Sequence, residues 1–270
     1  MVEPYILRAP AAAEVPLLVS IPHTGTDVPP SIAARFATPE VAALPDTDWH
    51  LHDLYDFVPQ LGATMLFARY SRYIVDLNRP REGGALYPGR FETSVTPTRT
   101  FADTPIYRHG AEPEEDEITE RLDLYWQPYH DRLRGELARL SERHGYALLF
   151  DAHSITSFVP RFSSDKLPGF MLGDVDGTSS HPDLSQAVLA VQAASGISFQ
   201  PNHPFKGGYI TRSNGAPGAG VHALQLEMSQ RLYMDEGPPF AYRQDLAAAL
   251  RPTLDASLRA FVETAHNLFG

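Results

Sequence analysis

Two stretches of this chain, Val15 to Ile21 and Ala147 to Phe150, are apolar at almost every position and too short to be helices, and a third, Val221 to Met228, is mostly apolar around His222, Gln225 and Glu227. A strand with one face in water alternates polar and apolar residues, whereas a strand covered on both faces does not. Such runs point to a sheet buried between two helical layers, and the intervening segments supply helices. From Pro113 to His144, apolar residues from Ile118 to Leu140 recur mostly at steps of three and four. Gly145 ends that helix, and Pro128 is expected to kink it. Pro182 to Ser195 and Ala241 to Leu268 read as further helices, and Asp46 to Phe57 as another, capped by Asp46 or Asp48. Ala63 to Phe67 and Tyr73 to Leu77 read as two more strands. Pro80 to Tyr107, rich in Pro, Gly and Thr, reads as a long loop, a kind of segment that is often functional. The expected fold is an α/β sandwich with a mostly parallel or mixed sheet, in one domain over residues 1–270.

In such sheets ligands gather at the C-terminal ends of the strands, and two histidines stand there. His23 follows the first apolar run, in Ser20-Ile21-Pro22-His23-Thr24-Gly25, and His153 follows the Leu148 to Phe150 run, in Asp151-Ala152-His153-Ser154. The chain has no cysteine. That excludes disulfides and thiolate metal sites, so a metal would be held by His, Asp or Glu. Asp151 and His153 are two apart, which puts them on one side of an extended segment and lets Asp151 orient the imidazole. A turn cap is the bland alternative for Asp151. A catalytic zinc takes three protein ligands, and the cluster from Asp46 to Asp53 is rich in candidates for the third. His50 and His52, two apart, would not share one face of a helix.

Asp76-Leu77-Asn78-Arg79-Pro80 closes another predicted strand. Asn78 and Arg79 there could bind a carboxylate, and Arg69, Arg72 and Arg81 make the neighbourhood locally basic, unless they serve only as surface ion pairs. Glu227, within Leu224-Gln225-Leu226-Glu227-Met228, is a carboxylate inside an apolar run. It is either a general base or half of a buried salt bridge. Lys206, Tyr209 and Arg212 lie on a glycine-hinged segment that could close over a polar substrate, or form an ordinary hairpin turn.

The formal net charge is −11 with no Lys/Arg-rich block, which argues against nucleic-acid binding. No apolar run approaches the roughly 18 residues of a membrane span. Met1 to Leu18 does not read as a signal peptide, and the lack of cysteine fits a reducing cytoplasm. Composition leaves the oligomeric state open.

Six segments in order resemble the N-formylglutamate amidohydrolase family. They are Ile21-Pro22-His23-Thr24-Gly25, Asp46-Thr47-Asp48-Trp49, Tyr73 to Pro80, Asp151-Ala152-His153-Ser154, Phe205 to Thr211 and His222 to Met228. The family is similar in turn to zinc carboxypeptidases and aspartoacylases. The resemblance implies a three-layer α/β/α sandwich with a mixed sheet, phosphorylase/hydrolase-like. It implies zinc, or another divalent metal, on His23 and His153, and a catalytic Glu227. Position 26 is Thr where the wider superfamily has the Glu of His-x-x-Glu, so the third ligand comes from elsewhere, Asp48 ahead of Asp46 and Asp27. The implied substrate is a small anionic N-acyl amino acid, N-formyl-L-glutamate, within histidine degradation. Asn78 and Arg79 would hold its carboxylate, with Arg212 as the second cation and Arg72 or Lys206 in reserve. The alternatives are a deacylase or carboxypeptidase for another N-acyl amino acid, or a non-catalytic metal- or amino-acid-binding protein.

Overall fold

The computed structural model describes residues 2–84, 93–160 and 165–270. Its elements in chain order are β1 (Tyr5–Arg8), β2 (Leu17–Ile21), α1 (Pro30–Ala33), α2 (Pro39–Ala42), α3 (Leu51–Leu54), β3 (Thr64–Ala68), α4 (Glu115–Arg121), α5 (Gln127–His144), β4 (Ala147–Ile155), β5 (Phe170–Gly173), α6 (Pro182–Ala194), α7 (Tyr209–Asn214), β6 (Val221–Ser229) and α8 (Gln244–Phe269). One mixed sheet runs in the order β1-β3-β2-β4-β6-β5. The inner four strands are parallel, and β1 and β5 flank them antiparallel.

Both faces are covered, as the mostly apolar runs require. Leu17, Val19 and Ile21 of β2, Leu148 and Phe150 of β4, and Leu224 and Leu226 of β6 face a core with α6 and α8. Leu18, Leu149 and Ala223 turn the other way, onto Trp126, Tyr129, Leu133, Leu137 and Leu140 of the α4–α5 side. Each fully buried leucine there contributes about 1.5–3 kcal/mol. Among the described residues no helix is long and apolar enough to cross a membrane.

Four expectations change. The helix over 46–57 shrinks to α3, because its first residues are taken by tertiary contacts. Asp46 accepts from the Phe101 amide at 2.9 Å, the Asp48 amide donates to the His23 carbonyl at 3.0 Å, and His50 is left-handed (φ 58°). Tyr73 to Leu77 is buried but is no strand. The Ile74 amide bonds back to Ser71 O and the Asp76 amide crosses to Val95 O, so no ladder forms. Lys206 to Arg212 runs into the short helix α7, not a hairpin. The kink of the long helix is a π turn, Leu122–Trp126, just before Pro128. Proline cannot donate and its ring collides with the carbonyl four residues back, so widening the preceding turn accommodates it. Within Pro80 to Tyr107, residues 85–92 lie outside the described ones.

Candidate metal centre

The parallel strands β2, β4 and β6 deliver their C-terminal ends to one edge of the sheet. Register places Glu227 of β6 directly beside His153 of β4. Alternation puts Asp151 and His153 on the same face as Ala147 and Leu149, and Glu227 on the face of Ala223. That face is apolar where the helical layer covers it and turns polar beyond. His23 sits two residues past β2, where Gly25 lets the chain cross the end of β3. A Cβ on Gly25 would stand 2.3 Å from the Tyr70 carbonyl oxygen.

His23, Asp48 and His153 converge, all buried, each with one ligand atom within 4.8 Å of the others. Asp48 Oδ2 is 3.3 Å from His153 Nδ1 and 3.9 Å from His23 Nδ1. Three ligands on one tetrahedral zinc at about 2.0–2.2 Å stand about 3.4 Å apart, so the set needs only a small contraction. The turn that carries Asp48 is held from three sides. Besides the bond to His23 O, the Ser154 amide donates to Asp48 Oδ2 at 3.2 Å and Gln230 Nε2 donates to Thr47 O at 2.9 Å.

Both imidazoles present Nδ1 to the centre and rest Nε2 on a carboxylate. His23 Nε2 lies 2.8 Å from Asp76 Oδ1, and His153 Nε2 lies 2.9 Å from Asp151 Oδ2. A carboxylate behind a ligand histidine fixes the tautomer, leaving the Nδ1 lone pair for an ion. Each carboxylate is itself anchored. Arg72 Nη2 donates to Asp76 Oδ2 at 2.6 Å, and Ser20 Oγ donates to Asp151 Oδ1 at 2.9 Å with Tyr129 behind it.

Electrostatics point the same way. Five buried carboxyl groups, Asp46, Asp48, Asp76, Asp151 and Glu227, surround one buried guanidinium, Arg72. Burial and the nearby Arg72 push the His23 imidazole down, against Asp76 and Asp48, so it is neutral. For His153 burial also disfavours charge, but Asp151, Asp48 and Glu227 outweigh it and hold the imidazole well above its usual range. Burial, with Asp48 and Asp151 adding to it, pushes the Glu227 carboxyl up to about 8, although His153 and Arg72 pull the other way. A buried, anion-rich pocket with two imidazole nitrogens and a carboxylate oxygen facing inward fits a divalent transition ion.

The other sequence-predicted residues divide. Asn78 joins the centre. Its Nδ2 is 3.0 Å from His153 Nε2 and its Oδ1 accepts from the Ile210 amide at 2.8 Å. Gly208 makes room for this, since a Cβ there would lie 2.3 Å from Asn78 Nδ2. Arg72 is committed to Asp76. Arg79 follows Asn78 and donates from Nε to Thr93 O at 2.9 Å, while Arg212 Nε donates to Gly207 O at 2.9 Å. Tyr209 packs against Trp126 with its ring tilted, and Lys206 pairs with Asp176 at the surface, 2.8 Å away. Asp46 and Asp27 do not belong to the ligand set. Sequence reasoning passed over Asp76 and Ser20 as supports of the two histidines. Ser20 carried a signal, as the polar interruption of an otherwise apolar strand.

A family model described as N-formylglutamate amidohydrolase matches residues 15–234. An N-formylglutamate deformylase of Pseudomonas aeruginosa is 48% identical over 249 residues, 92% of this chain and 93% of that one. One of Pseudomonas putida is 44% identical, covering 92% of each. The crystal structure of an N-formylglutamate amidohydrolase from Ralstonia eutropha JMP134 superposes with a TM-score of 0.83 at 26% identity, covering 98% of both chains. A gene product of Agrobacterium tumefaciens shares the fold, with a TM-score of 0.75 at 19% identity over 97% of this chain and 96% of that one.

Proposed function

Because the chain belongs to the N-formylglutamate amidohydrolase family, we propose that it hydrolyses N-formyl-L-glutamate to formate and L-glutamate, with one divalent ion, zinc, held by His23, Asp48 and His153. The observation that carries the reading is the buried Glu227 carboxylate set in register beside His153, at the edge of an otherwise complete ligand triad. When bound, the ion supplies Lewis acidity toward the amide carbonyl and makes a neighbouring water more acidic. Glu227 is the general base. It accepts the proton of the water that attacks the formyl carbon, then delivers it to the amide nitrogen as the C–N bond breaks. A carboxyl whose proton affinity is raised by burial suits both halves of that transfer. No hydrogen bond among the described residues competes for it.

The substrate carries two carboxylates. Arg79 and Arg212 are the proposed cations that hold them, with Asn78 and Tyr209 as polar contacts. What supports this is their common neighbour. Arg79 is adjacent to Asn78 in the chain, and Arg212 lies on α7, whose Ile210 amide bonds the Asn78 side chain. Arg72 and Lys206 stand in reserve; Arg72 holds Asp76 and Lys206 holds Asp176. The place in histidine degradation rests on the resemblance, and a cytoplasmic setting on the absence of cysteine.

The test is Glu227→Gln. It is expected to keep wild-type zinc content and lose turnover by about 10²–10⁴-fold, the range of a general base. Near-normal formate release from that variant overturns the assignment. A panel of N-formyl, N-acetyl and formimidoyl acidic amino acids, with N-formylalanine as the substrate lacking one carboxylate, separates deformylation from other deacylations. Of Arg79→Ala and Arg212→Ala, the variant that loses the side-chain-carboxylate partner is expected to raise KM for N-formylglutamate far more than for N-formylalanine, and the other to raise both alike.

A further inference from the structure

The segment 71–80 bears Arg72, Asp76, Asn78 and Arg79, and it pairs with no strand. Its backbone carbonyls therefore need other donors, since a buried unpaired carbonyl is costly. Three of them are met by side chains of the same helical run. Arg121 Nη1 donates to Ile74 O at 3.2 Å, His130 Nε2 to Leu77 O at 2.9 Å, and Trp126 Nε1 to Arg79 O at 2.9 Å. All three donors are buried.

Their spacing does not suit a regular helix. At about 100° per residue, positions 121 and 130 would be about 180° apart, on opposite faces. The intervening Leu122–Trp126 turn is π, closed by the Gln127 amide on Leu122 O. A π turn acts as one inserted residue. Subtracting that residue leaves Arg121, Trp126 and His130 at about 0°, 40° and 80°, on one face. The wide turn thus phases three side-chain donors onto a single irregular segment.

We propose that the π turn Leu122–Trp126 is a positioning device for the metal centre, with His130 as its principal positioning residue. His130 reaches the centre through two short links. It fixes Leu77 O, next to Asn78, and the Asn78 side-chain amide packs 3.0 Å from His153 Nε2, whose proton points to Asp151. Its ring is stacked on Trp126 at 3.8 Å and meets Tyr209 edge-on at 5.4 Å, which ties the start of α7 to the same group. Burial lowers the imidazole pKa to about 3, so the ring stays neutral, and a carbonyl partner makes Nε2 the donor. The inference deepens the metal-centre reading and rests on it for its effect on catalysis.

The test compares His130→Phe, which keeps the stacking ring without the donor, with His130→Gln, whose Nε2 reaches a similar point. Trp126→Phe is the second variant, removing only the donor to Arg79 O. Three readouts are taken: the His153 ring and Asn78 amide resonances of the metal-free protein, zinc affinity by chelator competition, and kcat/KM for N-formylglutamate. In His130→Phe the resonances shift, zinc affinity falls about tenfold and kcat/KM falls at least as much, with the wild-type circular dichroism spectrum retained. His130→Gln restores all three. If His130→Phe does not fold, Trp126→Phe must show the same pattern in smaller measure. Unmoved resonances in a folded His130→Phe, or failure of His130→Gln to restore them, overturns the proposal. Wild-type protein that binds no zinc refutes the metal-centre reading instead, and the metal-free resonances still decide this one.

Discussion

Asp76→Asn keeps the side chain's shape and removes its charge. Both oxygens of Asp76 are committed. Oδ1 meets His23 Nε2 at 2.8 Å and accepts from the Asn78 amide at 2.9 Å, while Oδ2 accepts from Arg72 at 2.6 Å and from Thr93 Oγ1 at 3.4 Å. The residue is fully buried, so no water can substitute. Whichever way the asparagine amide turns, its nitrogen faces donors, and Arg72 is left as a buried charge without its closest counter-charge. Stripping one partner from a buried pair costs about 3–5 kcal/mol. At about 2–4 °C per kcal/mol for a chain of this size, the thermal midpoint should fall by roughly 6–20 °C. A separate loss follows at the centre, where removing the carboxylate behind a ligand histidine weakens metal binding by about 10–100-fold. Thermal denaturation of the metal-free protein reads the first effect and chelator competition the second. Adding Arg72→Met removes the stranded charge, so the double variant should recover stability and leave zinc affinity low. A single variant with wild-type midpoint and affinity, or a double variant less stable than the single one, refutes the reasoning. The pH dependence is also set. Burial opposes ionisation of Asp76, but Arg72 and His23 outweigh it and hold its pKa well below the usual range. A carboxyl with a depressed folded-state pKa stabilises above its unfolded value and loses that contribution as pH falls through the folded one. Wild type should therefore keep its margin over Asp76→Asn until pH falls below about 4.

Glu227 has the opposite sign. Its folded pKa of about 8 lies above its ordinary 4.5, so its contribution is complete below pH 4.5 and is lost as pH rises toward 8. Urea midpoints of metal-free Glu227→Gln should therefore gain on wild type between pH 5 and 8, and a constant difference would count against a desolvated carboxyl. Zinc binding should release protons near neutral pH, one from His153, because a ligand imidazole must be neutral, and most of a second from Glu227 as the ion lowers its pKa from about 8; calorimetry in buffers of different ionisation enthalpy measures the number, and no buffer dependence would refute it. Gly25→Ala should destabilise by about 1–3 kcal/mol through the clash with the Tyr70 carbonyl, and an unchanged urea midpoint would show that the crossing chain gives way.

The strands that carry the centre were legible because each is covered on both faces, and continuous apolar runs such as Leu17 to Ile21 have few other uses. His23 and His153 were legible because they stand where those runs stop. Asp76 was not. It lies in a segment without period, and besides Arg72, four residues away, it is held by His23 and by the Val95 carbonyl, contacts distant in sequence that no local pattern encodes. The misread helix at 46–57 has the same origin. Its residues suit a helix locally, but Asp46 and Asp48 bond to Phe101 and Ser154, distant in sequence. The π turn escaped notice because apolar spacing of three and four continues on both sides of it. Pro128 makes the wider turn tolerable, and the demand of segment 71–80 for donors gives the extra residue its use.

These hidden features share one logic. Carboxyl groups collected at the end of a buried sheet oppose folding unless each is matched, because a desolvated anion is expensive. Arg72 matches Asp76, and Ser20 with Tyr129 supports Asp151. Asp48 and Glu227 are not matched in this way. Asp48 faces two imidazole nitrogens and the Ser154 amide, and Glu227 has no hydrogen-bond donor among the described residues. The unmatched pair is the ligand and the base of the proposed reaction. A divalent ion between His23, Asp48 and His153 would place positive charge beside Glu227 and lower its pKa from about 8 toward the range in which it can accept a proton. On this reading the two carboxyl groups at the strand ends that lack an arginine or hydroxyl of their own, Asp48 and Glu227, are the ones a bound ion would use as ligand and base.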